Sequence, residues 1–458
     1  MIDVVPLDTP TLGDRSYLVH DGEVALVVDP QRDVDRMLAL AAAAGVRITH
    51  VFETHVHNDY VTGGLELARA TGAEYLLSAA DEVAFDHRGL DDGQTVRAGS
   101  MTVRALHTPG HTFTHLSYLV EVDGRVQGVF SGGSLLYGST GRPDLLGERA
   151  ARPLAHAQYR SAHRLADAVP PDTPLYPTHG FGSFCSATQS EASSSTLSAE
   201  RRSNPALTLD EDGYVEELLA GLDAYPAYYA HMAPTNSVGP APVDLSPPRP
   251  VDAAELRRRI DAGEWVVDLR AQAAFARGHL PGTVNVGLDG SFATYLGWLI
   301  PWGTPLTLLG RTAEQVAEAQ RELVRIGIDR PAGAATGRPE EWAGGAPLRS
   351  YSTADFRALA AAAATRQIVL LDVRRNDEWR QSHLRGATHV PLHELPGRIA
   401  EVPDGEVWVY CHSGYRASIA ASLLDAAGRT VVAVDDDYEN AEGAGLPARS
   451  AQLAGTAR

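Results

Sequence analysis

The chain has 458 residues, is 44% hydrophobic and 21% charged, and carries a formal net charge of −19. A single hydrophobic core stops growing at about 250–300 residues, so two or three domains are expected. The acidic balance argues against a nucleic-acid or acidic-membrane partner, since both need clustered Lys and Arg, while leaving room for a local basic pocket. No apolar run approaches the ~20 residues of a membrane span. The start, Met1 to Pro6, lacks the basic-then-apolar order of a signal peptide. The two cysteines, Cys185 and Cys411, fall in different expected domains, so no structural disulfide is expected and a reducing cytoplasm is the simplest compartment.

The first ~230 residues alternate short apolar strands with helical patterns, as in the strands Val24–Val28 and Ile48–Phe52 with the Ala-rich stretch Val34–Ala44 between them. The second strand runs into Glu53-Thr54-His55-Val56-His57-Asn58-Asp59-Tyr60. Two histidines two apart at a strand end can face one ion where the chain turns, and imidazole and carboxylate are the usual ligands of zinc or non-haem iron. Thr108-Pro109-Gly110-His111-Thr112 presents another histidine from a tight turn, and Tyr176-Pro177-Thr178-His179-Gly180 a fourth. Any one of these reads most simply as a surface or core histidine. Four at strand ends beside Gly and Pro supply the convergence that metal ligation needs. Residues Ser183 to Asn204 are polar and small and read as loop, and Pro234 to Pro250 is the best linker candidate.

Beyond the linker the chain repeats itself. Val266-Val267-Asp268-Leu269-Arg270 resembles Leu370-Leu371-Asp372-Val373-Arg374, and each Asp is followed eleven residues later by a histidine, His279 or His383. Both copies read as strand, helix, strand, helix, the pattern of a parallel α/β sheet. In the second copy the β-rich run Val407–Tyr410 leads into Cys411-His412-Ser413-Gly414-Tyr415-Arg416 and then a helical stretch, Ala417–Ala427. Backbone N–H groups at a helix N-terminus, with Arg416 beside them, favour an anion there and should stabilise a cysteine thiolate or persulfide. The first copy has Leu306–Leu309 followed by Gly310-Arg311 and contains no cysteine, so it cannot form a persulfide.

The His-x-His-x-Asp, Thr-Pro-Gly-His-Thr and Gly141-Arg142-Pro143-Asp144-Leu145 segments resemble the metallo-β-lactamase superfamily, and more narrowly its persulfide dioxygenase branch fused to rhodanese domains. The Cys411 loop with Glu378-Trp379-Arg380-Gln381-Ser382-His383 resembles the rhodanese family. The resemblance implies an α/β multidomain chain: a metallo-β-lactamase αββα sandwich over residues 1–233, the linker 234–250, an inactive rhodanese-like domain over 251–346 with a structural or docking role, and a rhodanese domain over 347–458 with Cys411 and Arg416 as catalytic residues. Two positions depart from the family's metal site. Tyr60 stands where a histidine is usual, and Phe130-Ser131-Gly132-Gly133 replaces a segment whose Asp, at the place of Gly133, is a ligand. In the dioxygenase branch the iron would sit on His55, His111 and that missing Asp.

The ligand set left for the broader superfamily's first site is His55, His57 and His111, with only Asp59 and His179 for a second, so one ion per chain is expected, Fe(II) favoured and Zn(II) the alternative. Tyr60 fills the lost ligand's place or bonds a metal-bound water, with a packing aromatic as the equal alternative. Arg142 is a candidate substrate contact, with an ion pair to Asp144 as the simpler reading. Cys185 is a candidate sulfur-handling group near the metal, with a small buried hydrophobe as the simpler reading. Asp29 is assigned, through the resemblance, a structural role as a loop hydrogen-bond acceptor. Asp435, Asp436 and Asp437 follow the Cys411 loop and should disfavour anionic sulfur donors. The expected function is metal-dependent oxidation of a low-molecular-weight thiol persulfide coupled to sulfur transfer at Cys411. The alternatives are a thioesterase-like hydrolase fused to a sulfurtransferase, or a degenerate metal domain supporting an active rhodanese. The expected partner is a small thiol or persulfide, with homo-oligomerisation left open.

Overall fold

The computed structural model describes residues 2–188 and 192–450. It divides into two compact units, residues 1–243 with 323–327, and residues 244–322 with 328–458. Among the described residues no helix is long and apolar enough to cross a membrane.

The first unit is a sandwich of two six-stranded sheets with helices on both outer faces. The first sheet runs in chain order from Asp3–Thr9 to Arg88–Leu90, and the second from Thr95–Ala98 to Ser195–Thr196. Strand alternation sorts the side chains into three apolar layers. Along Asp14–His20, Tyr17 and Val19 enter the layer between the sheets, while Leu18 faces the helices Asp35–Ala44 and Gly64–Thr71. Leu116, Tyr118 and Val120 meet them from the second sheet, while Leu119 turns outward to the helices Glu148–Ala168 and Glu211–Gly221. The strands Val24–Val28, Arg47–Phe52 and Glu74–Ser78 are parallel neighbours. Their C-terminal ends open on one edge of the sandwich, where ligands of such sheets bind.

The linker begins later than its prolines suggest. Residues 229–238 form a helix with Pro234 inside it. A proline removes one internal N–H bond, which this short helix tolerates, so only the stretch beyond Val238 is extended.

The second unit holds two parallel sheets. The first copy orders its strands as Val284–Asn285, Trp265–Asp268, Leu306–Gly310, Gly333–Thr336. The second orders them as Ser352–Ala354, Thr430–Val434, Glu406–Tyr410, Val369–Asp372, Thr388–His389. In both, the strand bearing the repeated Asp lies beside the strand that leads into the active-loop position.

Candidate active sites

Asp29 organises the loops at the open edge of the first unit. It ends its strand in the left-handed region, at φ 51°. Its buried carboxylate accepts from Thr54 N (2.7 Å), from Thr54 Oγ1 (2.8 Å) and from Thr178 Oγ1, tying the loop of His55 to the loop of His179. Because the Thr54 hydroxyl proton goes to Asp29, Thr54 Oγ1 accepts from His55 Nδ1 at 2.9 Å. That fixes the tautomer and leaves a lone pair on His55 Nε2.

Two more imidazoles are set in the same way. His111 Nδ1 donates to the Arg142 carbonyl at 2.9 Å. His179 Nδ1 lies 2.9 Å from Asp14 Oδ1 and 3.1 Å from Asp59 Oδ2. In all three histidines Nε2 is buried without a hydrogen-bond partner, and one ligand atom from each lies within 4.8 Å of the others. Three buried nitrogens left unpaired together are costly unless something binds them. Burial and the neighbouring imidazoles hold His55 far below the usual histidine range, and His111 falls to about 3. Burial opposes a charge on His179, but Asp59 and Asp14 outweigh it and raise that residue to about 9. A carboxylate behind a ligating imidazole is the usual support of a metal site. The residues present therefore fit one metal ion on His55, His111 and His179.

His57, expected in that set, is turned elsewhere. Its Nε2 lies 3.1 Å from Glu53 Oε2, 3.3 Å from Asp29 Oδ1 and 3.0 Å from the Tyr60 hydroxyl. Only Nδ1 is unpartnered, and it joins Asp59 and His179 in a second cluster that shares His179 with the first. Tyr60 is fully buried, stacks on His57 with ring centroids 4.3 Å apart, and has its hydroxyl engaged by His57 and the Asp29 carbonyl. This is the packing alternative for Tyr60. The place of the missing Asp is also filled. A Cβ on Gly133 would meet His111 Cδ2 at 2.3 Å, so the His111 ring occupies the space a side chain there would need.

In the second unit the strand Glu406–Tyr410 ends at Cys411, and the helix Tyr415–Ala426 starts four residues on. Gly414, at φ 89°, makes the turn, and a Cβ there would meet Asp435 Oδ1 at 2.5 Å. The Cys411 sulfur, 1% exposed, accepts from Gly414 N at 3.2 Å and Ala417 N at 3.3 Å. These two donors at a helix start are the anion cradle expected from the sequence. Arg416 does not serve as a free cation beside it. Its guanidinium grips Glu378 with both oxygens, at 2.5 and 2.7 Å. The first copy closes over this loop: the Tyr415 hydroxyl donates to Gly287 O (2.8 Å), Tyr295 lies 5.8 Å from the Tyr415 ring, and Gln272 donates to Asp435 (2.6 Å).

The metallo-beta-lactamase superfamily model matches residues 12–179, and the rhodanese-like domain model matches residues 252–334 and 355–444. The chain is 32% identical over 243 residues to a probable metallo-hydrolase of Burkholderia pseudomallei (strain 1710b), an alignment covering 44% of this chain and 79% of that protein. The chain belongs to the metallo-beta-lactamase superfamily. It is also 28% identical over 205 residues to the human mitochondrial persulfide dioxygenase ETHE1, covering 44% of this chain and 74% of that protein. A metallo-beta-lactamase from Staphylococcus aureus subsp. aureus COL superposes with a TM-score of 0.66 at 26% identity, over 74% of this chain and 99% of that one. The family models thus place a metallo-β-lactamase domain ahead of two rhodanese-like regions on this one chain.

Within this superfamily member, the structure brings His55, His111, His179, Asp59 and Cys185 together. The Cys185 thiol is buried, and burial raises its pKa, with Asp59 and Asp14 raising it further. Arg142 is spent on structure: it grips Asp144 at 2.7 and 2.8 Å and donates to the carbonyls of Phe184 (3.3 Å) and Asp223 (2.7 Å). Sequence reasoning missed Asp14, Glu53 and His115. His115 Nε2 accepts from Gly133 N at 3.1 Å and its ring stacks 5.0 Å from His55, so it pins the glycine loop. Its four-residue spacing from His111 was a visible signal, but on two loop arms spacing does not say which way a ring turns. Of the three acids after the Cys411 loop, Asp435 lies against it, while Asp436 accepts from Phe356 N (3.1 Å) and Asn440 (2.7 Å) as a local cap.

Proposed function

We propose that the chain is a sulfur-handling enzyme whose metallo-β-lactamase domain uses one metal ion, ferrous iron by preference, to oxidise a small thiol persulfide to sulfite, and whose Cys411 carries sulfane sulfur. The observation that carries this reading is a three-imidazole site, without a ligating Asp at position 133, on one chain with a cysteine held under two N–H donors. A ferrous ion on these three imidazoles would supply exchangeable positions for a sulfur ligand and for O2. The protein's own part is to set those imidazoles. Thr54, the Arg142 carbonyl and Asp14 each hold one Nδ1–H, so each ring already turns its Nε2 toward the shared point.

At Cys411 the thiolate attacks the outer sulfur of a persulfide. The S–S bond breaks, the thiolate of the carrier leaves, and a cysteine persulfide remains, its negative sulfur within reach of the loop N–H groups. An acceptor thiolate or cyanide then attacks the outer sulfur, the Cys411 thiolate leaves, and a new persulfide or thiocyanate is released.

A metal-dependent hydrolase is the second reading. It is supported by the relationship to a probable metallo-hydrolase and by Asp59, whose two oxygens are buried beside His179 without a well-formed hydrogen bond and could accept a proton from water.

Oxygen uptake by iron-loaded protein on addition of glutathione persulfide, with sulfite assayed alongside, tests the first reading. Stoichiometric uptake that is lost in His111→Ala supports it. No uptake, with thioester hydrolysis by the zinc-loaded protein, replaces it with the second. The ligand set has its own test. His179→Ala is expected to reduce bound metal from one ion per chain to near none, whereas His57→Ala retains it; the reverse would restore His57 to the first coordination sphere.

A further inference from the structure

The helix that follows Cys411, Tyr415–Ala426, turns a polar line toward the copy without a cysteine. The Tyr415 hydroxyl donates to Gly287 O (2.8 Å), Ser422 Oγ accepts from Asn285 N (2.9 Å), and Asp425 Oδ2 lies 3.0 Å from His279 Nε2. Positions 415, 422 and 425 are seven and then three residues apart, the spacing of one helix face. Ser422 and Asp425 are buried there, so the polar groups of this face are answered from the other copy.

The fit is tightest at the loop end of that face. A Cβ on Gly290 would meet the Tyr415 ring at 2.5 Å, so the ring lies directly on the bare Cα of that glycine. In sequence Tyr415 falls between Gly414 and Ala417, whose N–H groups meet the Cys411 sulfur. The second copy braces the loop on its own side: the His412 carbonyl accepts from Tyr438 N (2.7 Å), and Arg416 grips Glu378. Neighbouring residues on a helix point about 100° apart. Arg416 and Tyr415 therefore hold the helix start from different sides, and the Tyr415 hold comes from the other copy.

We propose that Tyr415 is a positioning residue for sulfur transfer, and that the copy without a cysteine supplies its seat, keeping the Gly414 and Ala417 N–H groups on the Cys411 sulfur. Gly414, at φ 89°, joins the loop to the helix and has no side chain to fix it. The direction of its N–H follows from where the helix starts. The ring on Gly290 and the hydroxyl on Gly287 set that start. The role rests on Cys411 as the sulfur carrier, but its first readout needs no turnover.

The full-length protein is compared with Tyr415→Phe, with Gly290→Ala in the other copy, and with Ser422→Ala, which removes a bond on the same face farther from the loop. Amide hydrogen exchange is read over residues 411–417. Thiocyanate formation from glutathione persulfide and cyanide is measured alongside, with urea titration to show that each variant is folded. Tyr415→Phe is expected to speed exchange at Gly414 and Ala417 about tenfold and to slow transfer about tenfold, the worth of one hydrogen bond. Gly290→Ala pushes the ring off its seat and should slow transfer about a hundredfold, as an ångström-scale misplacement does, although the change lies outside the catalytic copy. Ser422→Ala should lower the urea midpoint and leave exchange and transfer within about twofold of the parent. In a Tyr415→Ala background, where the added methyl has room, Gly290→Ala should make no further difference. Unchanged exchange or unchanged transfer in Tyr415→Phe, an equal loss in Ser422→Ala, or multiplying losses in the double variant overturns the role. Absence of transfer in the parent protein would sink the assignment of Cys411 as carrier, and the exchange result would then decide the positioning role by itself.

Discussion

In the first rhodanese-like copy Arg270 folds back on Asp268, with contacts of 2.7 to 3.0 Å, and in the second Arg374 does the same to Asp372 at 2.7 to 3.1 Å. Phe275 stacks on His279 at 3.9 Å in one, and Trp379 stacks on His383 at 3.7 Å in the other. The two part company one residue past the central strand. Asp268 pairs with Leu309 and Asp372 with Tyr410, so Gly310 stands where the other copy has Cys411. The helix begins four residues after Cys411 in the second copy but three after Gly310 in the first. The position matching Glu378, by the 104-residue spacing of the two Asp residues, is Ala274. The frame is held by a buried Asp–Arg pair and a stacked histidine that need no chemistry to be useful. Sulfur transfer needs a cysteine, a loop long enough to aim N–H groups at it, and an anchored helix start, and the first copy lacks all three.

The largest effect should follow removal of the nucleophile. Cys411→Ser is expected to reduce thiocyanate formation from a persulfide and cyanide to the uncatalysed rate, while metal content and metal-centred turnover persist. Transfer surviving in that variant would mean that the comparison of the copies has picked out the wrong loop.

Next comes the ion pair that only the second copy possesses. Burial alone would raise the Glu378 pKa, but the Arg416 guanidinium outweighs it and holds the carboxyl at about 2. A carboxyl whose folded pKa lies below its unfolded value of about 4.5 stabilises the fold above that value, and the contribution is lost as pH falls toward 2. The difference corresponds to about 3 kcal/mol at neutral pH. Glu378→Gln is therefore expected to lower unfolding stability by about that amount at pH 7 in urea titrations, with the gap to the parent protein narrowing below about pH 4. A gap that stays constant with pH would mean that the pair matters through packing and not charge.

The repeat and its consequences were legible because Val-Val-Asp-Leu-Arg and Leu-Leu-Asp-Val-Arg recur at a fixed spacing, and because Cys411 sits between an unmistakable β run and an Ala-rich helix. The metal loops were legible for the same reason, as histidines beside Gly and Pro at strand ends. Which imidazoles converge was not. That depends on what each Nδ1 finds, and the partners lie far away in sequence: Arg142 for His111 and Asp14 for His179. Arg416 read as a cation for the loop because its partner Glu378 lies 38 residues earlier on another helix. Pro234 read as the start of a linker, but tertiary packing carried the helix through it. Long-range partners decide all three, and local pattern is blind to them.

A smaller effect is expected where the two copies touch. His279 Nε2 lies 3.0 Å from Asp425 Oδ2, and Arg349 donates to Asp425 Oδ1 at 2.8 Å. Asp425 sits on the helix that begins beside Arg416. Asp425→Asn keeps the size but removes the charge that Arg349 faces. A loss of about 1–2 kcal/mol in the unfolding free energy from urea titration is expected, with thiocyanate formation changed less than about twofold, since a loss of that size leaves nearly all chains folded. A large loss of transfer with little loss of stability would show instead that the first copy sets the geometry of the Cys411 loop through this contact.

The smallest expected effect is the most demanding of the comparison. Gly310→Cys, placed in a Cys411→Ser background, puts a thiol at the matching strand end of the first copy. A Cβ at that position would have Val316 Cγ2 at 3.1 Å and Gln315 Cβ at 3.4 Å, so the side chain can be accommodated with slight adjustment. Yet the loop between that position and the helix is one residue shorter, and Ala274 offers no carboxylate to anchor the helix start. The Gln315 N–H, which matches that of Ala417 by the two helix starts, is already directed to Thr312 Oγ1 (3.4 Å). Thiocyanate formation is expected to stay at the Cys411→Ser background. Recovery of measurable transfer would mean that the cysteine alone makes the site, and that loop length and the Glu378–Arg416 pair are only packing.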